Sequence, residues 1–528
     1  MDPAEFREWG KKMVDFVADM WEGIPDRTPL PDVKPGYIQA LVPPQAPNYP
    51  EKWQAVFDDL EKVVLSGVTW WHHPNFYAYF PTALSHHAIV ADILSGGISA
   101  IGFTWKSCPS MTELELAVLD WLVSALGLPD HFRNSHPGPG CGIIQSTASD
   151  ATLIAFFAAR AKAVEEIKNS PTMLQSIQTE VGQKFKDLLG KSPFSGKKGA
   201  EQEGQHSSEI YLHPFHDPAV FDRLVAYCSD QAHSSVEKAA MLAGVRLRKL
   251  RSERDERYGN FSVTAATLEA AIKEDRAHGL HPFIFLLTMG TTNTCAIDPI
   301  RELATICNRE KIWAHVDAAY AGGFLLCPEF RGMGDGLELV DSFNYNAHKT
   351  MMVNFDCSPL WLKDGKSAVK YFNVDPVYLK HEHQANTADY RHLQVALGRR
   401  FRSLKIWFVM RTFGIEKIQQ YLRDGCAHAE VFSRLIAASL TFDLVVPRNL
   451  GLVCFRIKNA SNEVNEELCN AINEDRRIHI VPSKVGEVYF LRLALCSQLT
   501  TEKHVRFAFD VISEVAQRTL DKMSLIGS

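Results

Sequence analysis

Residues 281–288, His281-Pro282-Phe283-Ile284-Phe285-Leu286-Leu287-Thr288, and residues 313–317, Trp313-Ala314-His315-Val316-Asp317, are short apolar runs with a helical pattern between them, through Ile300 to Arg309. Runs this short and this apolar read as strands buried on both faces. A third run, Ser342 to Asn346, follows at a similar interval. The spacing is strand–helix–strand, the repeating unit of a parallel sheet. Working outward, the same alternation extends from about His86 to about Leu404. It includes a helix over Thr112 to Leu126 that places Leu114, Val118, Trp121, Leu122 and Ala125 on one face. The sequence therefore predicts an α/β domain over 86–404 with a mostly parallel central sheet.

The flanks read differently. Phe6, Trp9, Met13, Phe16 and Met20 recur at helical spacing, so the chain opens on an amphipathic helix whose apolar stripe needs a partner. A Pro-rich stretch with Pro43, Pro44 and Pro47 and a helical region up to Ser66 follow, making 1–85 a wrapping segment. Beyond Lys405, helical patterns over Gly414 to Asp424 and Ala427 to Ser439 alternate with strand patterns over Leu452 to Ile457 and Val488 to Leu495, which predicts a small α+β domain over 405–528. Two polar stretches interrupt the large domain. One is an insertion near 168–209, and the other a mobile loop near 373–390.

Composition narrows the function classes. The 528 residues carry a formal net charge of -6, with 46% hydrophobic and 22% charged residues. That balance is ordinary for a globular protein and gives nucleic acid no basic surface. No apolar run reaches membrane-spanning length, and the start, Met1-Asp2-Pro3-Ala4-Glu5, lacks the basic and apolar regions of a secretory signal, so a cytoplasmic protein is expected. The 11 cysteines include no CxxC pair and no zinc-like spacing, which predicts reduced thiols and no metal site. Cys454, in an apolar strand pattern, reads as core filler.

The chemistry centres on Asp317 and on Lys349, in Asn346-Ala347-His348-Lys349. A carboxylate ending a buried strand needs a compensating partner, and a protonated pyridine nitrogen is one. A lysine after the next strand then suits the Schiff base that pyridoxal phosphate chemistry requires. Singly, Asp317 reads equally well as a hydrogen-bonded structural carboxylate and Lys349 as a surface lysine; their joint occurrence favours the cofactor. Ser146-Thr147-Ala148-Ser149-Asp150 precedes an apolar helix over Ala151 to Ala163, so amides and hydroxyls converge where a phosphate dianion fits. Taken alone, Ser149 there is an N-cap. Arg399-Arg400-Phe401-Arg402 reads as a structural or solvated basic cluster without a catalytic role.

These segments, with His73-Pro74-Asn75-Phe76-Tyr77-Ala78-Tyr79-Phe80-Pro81, Ser229-Asp230-Gln231-Ala232-His233-Ser234-Ser235 and Leu397-Gly398-Arg399-Arg400-Phe401-Arg402-Ser403, make a set that resembles the group II pyridoxal-phosphate decarboxylases, most closely the aromatic-L-amino-acid decarboxylases of animals. The resemblance implies the aspartate-aminotransferase-like fold, pyridoxal-phosphate fold type I, and a homodimer with active sites at the subunit interface. It implies Lys349 as the Schiff-base lysine, Asp317 as the partner of the pyridine nitrogen, His233 stacked on the cofactor ring, Ala319 on the opposite face and Thr292 beside it. Ala148, Ser149, Asn346 and His348 would hold the phosphate, with Thr147 beside them at a point where relatives vary. Tyr378, on the polar loop, would return a proton to Cα after carbon dioxide leaves.

Trp71, Tyr79, Phe80, Pro81 and Thr82 would line an aromatic side-chain pocket, with Ile101 and Phe103 from the neighbouring subunit. By default such aromatics are core residues. Gly398 stands where relatives acting on histidine, and many acting on tyrosine, carry serine, which leaves room for catechol or indole rings. Dopa, 5-hydroxytryptophan or tryptophan are the expected substrates, with tyrosine and phenylalanine as further options. Two alternatives stay open. One is an aromatic aldehyde synthase consuming oxygen, although relatives of that kind replace the tyrosine by phenylalanine or the stacking histidine by asparagine. The other is a cofactor-binding pseudoenzyme that docks partners through the 168–209 insertion.

Overall fold

The structure, a computed structural model, describes residues 1–169, 213–255, 259–373, 379–383 and 389–526. Tyr378 and most of the 168–209 insertion lie outside these residues.

Seven strands form the large sheet: β1 (Cys141–Gln145), β2 (Leu224–Ser229), β3 (Arg246–Leu250), β4 (His281–Thr288), β5 (Trp313–Asp317), β6 (Ser342–Asn344) and β7 (Ser358–Leu362). Their spatial order is β1-β7-β6-β5-β4-β2-β3. Only β7 runs against the others, pairing antiparallel with both β1 and β6. The helix Ile300–Glu310 connects β4 to β5 as the spacing predicts, and Ser235–Ala243 connects β2 to β3. Along β4 the side chains alternate between two cores. Phe285 and Leu287 join one with the helix Pro109–Leu126, while Ile284 and Leu286 join the other with the helix Ala148–Asn169. Burial on both faces is why these strands read as continuous apolar runs.

Four further strands, β8 (Phe442–Leu444), β9 (Leu452–Ile457), β10 (Val481–Val485) and β11 (Val488–Ala494), form an antiparallel sheet in the order β8-β9-β11-β10. The helix Glu502–Ile526 covers it through Val505, Ala508, Ile512 and Val515. Between the sheets runs the helical segment Arg402–Ala438, two helices joined across a kink, where the sequence pattern suggests the break near Gly425. The interruption is at Gly414 instead, with φ 67 and ψ 172. At Gly425 the helix passes so close to β11 that a Cβ would sit 2.8 Å from the Leu495 carbonyl oxygen. That glycine permits packing and does not end a helix.

The chain opens on the helix Pro3–Glu22, fixed by a capping box between Asp2 and Glu5. Its stripe finds part of its partner in the next segment, as Trp9 meets Trp53 and Phe57, and Phe16 meets Phe57. Phe6 stays 63% exposed. Residues 76–85 then tie the two sheets together. The Tyr77 N–H donates to the His479 carbonyl (2.8 Å), the Ala494 N–H donates to the Tyr77 carbonyl (2.9 Å), and the Ala83 N–H donates to the His348 carbonyl (2.6 Å).

Candidate active site

The carboxyl ends of the parallel strands point to one edge of the large sheet, which is where open α/β sheets place ligands. A cavity of about 190 Å³ opens there. β1 delivers Thr147, Ala148 and Ser149; β2 delivers His233; β4 delivers Thr292; β5 delivers Asp317 and Ala319; the turn after β6 delivers Asn346, His348 and Lys349. All line this cavity, and Phe80 reaches it from the N-terminal segment.

The phosphate-type corner is built by local sequence. The helix starts at Ala148, three residues earlier than its apolar pattern suggests. Its cap is Thr147 and not Ser149: the Asp150 N–H donates to Thr147 Oγ1 (3.2 Å), and the Thr147 N–H donates back to Asp150 Oδ2 (3.2 Å). Asp150 also takes the hydroxyls of Thr147 (2.8 Å) and Ser146. Ser149 therefore lies inside the first turn, where amides are free of helical partners.

The two imidazoles at the cavity are held neutral. His233 Nδ1 accepts the Ser235 N–H at 3.1 Å, which places the ring proton on Nε2. Burial lowers its pKa and the Lys349 charge adds to this, against an opposing pull from Asp317. His348 Nδ1 is anchored to the Cys357 backbone, 3.0 Å from its N and 2.8 Å from its O. Burial pushes His348 down to about 4. Lys349 has its pKa lowered by burial, with Asp317 opposing. Asp317 Oδ1 accepts the Ala319 N–H at 3.0 Å.

Sequence reasoning gave no role to Tyr320 or Phe355, which also line the cavity. Tyr320 stacks on Phe80 with ring centroids 3.7 Å apart and planes 11° apart. Gly290, likewise unremarked, has φ 88, and a Cβ there would meet the Ala321 Cβ at 2.7 Å. The only sequence signal for Tyr320 was its place directly after Asp317-Ala318-Ala319.

The pyridoxal-dependent decarboxylase conserved domain matches residues 35–182 and 207–458. The chain is 46% identical over 517 residues to an aromatic-L-amino-acid decarboxylase of Drosophila simulans, covering 98% of this chain and 92% of that one. This chain belongs to the pyridoxal-dependent decarboxylase family. It is a carboxy-lyase that uses pyridoxal phosphate. Among solved structures it superposes with a TM-score of 0.82 on Catharanthus roseus tryptophan decarboxylase in complex with L-tryptophan (34% identity, 98% of this chain and 99% of that one). It also superposes with a TM-score of 0.82 on Rhodiola rosea 4-hydroxyphenylacetaldehyde synthase (31% identity, 98% and 99%).

The cavity of this decarboxylase fits its cofactor. A helix start with free amides, two neutral imidazoles and the Asn346 side chain line a space that also holds a carboxylate and a buried lysine. Among the described residues no group of His, Cys, Asp and Glu could hold a metal ion.

Seven residues expected at the substrate side do not line this cavity. Trp71 and Tyr79 stack on each other, 5.3 Å apart, and both are partly open to solvent. Pro81 and Thr82 lie between Phe80 and the Ala83–His348 hydrogen bond. Ile101 is 55% exposed and Phe103 is half-buried. Gly398 belongs with Ile101, since a Cβ on it would lie 3.3 Å from Ile101 Cγ2.

Proposed function

We propose that this enzyme decarboxylates aromatic L-amino acids to the corresponding amines, with dopa, 5-hydroxytryptophan and tryptophan as preferred substrates and tyrosine and phenylalanine as poorer ones. The observation that carries the reading is the convergence of Lys349, Asp317 and His233 on one cavity walled by the stacked Phe80 and Tyr320. Identity to aromatic-L-amino-acid decarboxylases over nearly the whole chain supports it.

Pyridoxal phosphate supplies, when bound, an electron-poor ring that takes up the electron pair left by departing carbon dioxide. The residues do the rest. Lys349 carries the cofactor, and its lowered pKa leaves more of the amine unprotonated and nucleophilic at neutral pH. Asp317 keeps the proton on the ring nitrogen. Ala148, Ser149, Asn346 and His348 hold the phosphate, with Thr147 capping the helix beneath it. His233 would hold the ring on one side with Nε2–H available to substrate, and Ala319 and Thr292 would complete its surroundings. Phe80 and Tyr320 exclude water from the reacting atoms. Tyr378 would return a proton to Cα.

A second copy of the chain completes the substrate side. Val90, Ile93, Leu94 and Ile98 form an exposed apolar stripe on the helix His86–Ile98, continuous with exposed Ile101. Such a stripe suits a homodimer interface that carries Ile101, Phe103 and Gly398 toward the partner's cavity, where Trp71, Tyr79, Pro81 and Thr82 form the near wall. Among the described residues no helix is long and apolar enough to cross a membrane, and a cytoplasmic enzyme is part of the proposal.

The likeness to an aldehyde synthase gives a second reading its observation. One experiment decides between them: the holoenzyme is incubated with dopa and with tryptophan while amine, aldehyde and oxygen are followed together. Amine equal to carbon dioxide, without oxygen uptake, is expected. Aldehyde, ammonia and peroxide in equal amounts would establish the synthase, and cofactor binding without turnover of any aromatic amino acid would leave only a pseudoenzyme.

A further inference from the structure

A column of polar side chains lies in the interior of the large sheet directly behind Asp317. β5 and β6 are parallel neighbours in which His315 stands opposite Ser342 and Asp317 opposite Asn344. Strand side chains alternate, so these four share one face. His315, Ser342 and Asn344 are fully buried, and Asp317 nearly so.

Hydrogen bonds link the column. Trp313 Nε1 donates to Ser342 Oγ (2.8 Å), and His315 Nδ1 lies 2.8 Å from the same oxygen. Indole is a donor only, so the Ser342 hydroxyl accepts from it and has its own proton to give. In the tautomer that lets this hydroxyl donate to His315 Nδ1, the imidazole N–H sits at Nε2. Burial pushes His315 down to about 4, so the ring is neutral and carries that one N–H.

His315 Nε2 and both ends of the Asn344 amide are buried with no hydrogen bond of normal geometry among the described residues, and the ring and the amide are each other's polar neighbours. The Asn344 amide lies within reach of the His315 ring, and His315 feels the Asp317 charge. Unpartnered buried donors carry their full desolvation penalty, and here they stand among strands otherwise filled with apolar side chains. Asp317 is the carboxylate at the end of that face, and its Oδ1 receives a backbone N–H, from Ala319.

We propose that His315 and Asn344, braced by Ser342 and Trp313, are positioning residues that form a polar wall beside the Asp317 carboxylate and keep it aimed at the cofactor's ring nitrogen. The proposal rests on the reading of Asp317 as the partner of that nitrogen. A merely structural role predicts effects on folding alone; a positioning role predicts effects on cofactor affinity in protein that folds normally.

The test titrates apoprotein with pyridoxal phosphate and reads the Kd, the position of the visible absorption band and the apoprotein Tm. Asn344→Asp keeps the shape of the amide and removes its N–H donor. His315→Leu removes the imidazole, and His315→Gln restores an amide donor in its place. Asn344→Asp and His315→Leu are expected to raise the Kd at least tenfold and shift the band, while His315→Gln recovers most of the loss. An unchanged Kd and band in Asn344→Asp protein with wild-type Tm would overturn the proposal, even if His315→Leu fails to fold. Asp317→Ala separates the two layers. If it also leaves the Kd and band unchanged, the reading of Asp317 fails; if it alone weakens binding, only the positioning role fails.

Discussion

Lys349 shows how a residue's surroundings set its chemistry. Burial disfavours its charged form and the Asp317 carboxylate favours it, so the amine stands between the two pulls. The sequence placed these two groups about thirty residues apart, one ending a strand and the other following the next strand, and β-strand register closes that gap to one cavity. Gly398 makes the opposite point, because its value lies in an absent side chain. A serine there would press on Ile101, whose Cγ2 already lies 3.3 Å from the position of a Cβ. Gly398→Ser is expected to lower kcat/KM for tryptophan relative to tyrosine by about 10- to 100-fold, the scale on which small changes in pocket volume discriminate. Competition assays with the two amino acids measure this ratio, and an unchanged ratio would remove Gly398 from the substrate side.

Among the elements, the helix Pro109–Leu126 is tied to β1 through a buried carboxylate. Glu115 Oε1 accepts the Ile144 N–H (2.7 Å) and Arg399 Nη2 (2.5 Å), and both side chains are almost wholly buried. Arg399 also lies over the Tyr390 ring at 4.5 Å. The basic cluster around Arg399 thus has a structural member, as its reading without a catalytic role anticipates. Removing one partner strands the other charge, so Glu115→Ala should cost about 3–5 kcal/mol, seen as a lower urea midpoint. The helix Arg402–Ala438 depends on Gly414 in the same local way. Its φ and ψ fall in a region almost confined to glycine, and Gly414→Ala should cost about 1–3 kcal/mol, again by urea unfolding, whereas alanine at Gly10, in the helix Pro3–Glu22, where a Cβ would meet nothing within 4 Å, should not destabilise.

At the scale of the whole molecule, burial has left several histidines neutral. His72, His281, His315, His348 and His479 are each pushed down to about 4, with desolvation the first cause in every case. Between pH 4 and 6.5 the unfolded chain therefore binds more protons than the folded one. Stability contributed by these groups is full above pH 6.5 and is lost as pH falls toward 4. The thermal unfolding midpoint should drop steadily from pH 6.5 to 4.5 and stay nearly flat from 6.5 to 7.5; a flat profile through the lower window would contradict the burial of these rings. All eleven cysteines are unpaired, and Cys454 is buried in the core, so reductant should leave the midpoint unchanged.

Much was legible in the linear chain because it is governed by local periodicity and by side-chain chemistry. The short apolar runs marked the strands, since a strand covered on both faces has no polar side to show. The pairing of Asp317 with Lys349, and the polar turn before the helix Ala148–Asn169, marked the chemistry. Tertiary structure alone decided the rest, because it depends on contacts between distant segments. Gly425 and Gly414 carry the same residue type, yet one serves close packing against Leu495 and the other a break in a helix; only the neighbouring carbonyl tells them apart. Thr147 displaced Ser149 as the cap because Asp150 turns back onto it. Tyr320 entered the cavity wall through Phe80, which lies 240 positions earlier in the numbering and is brought there by residues 76–85 joining both sheets. Local pattern fixes what each segment becomes, and long-range packing fixes what each side chain meets.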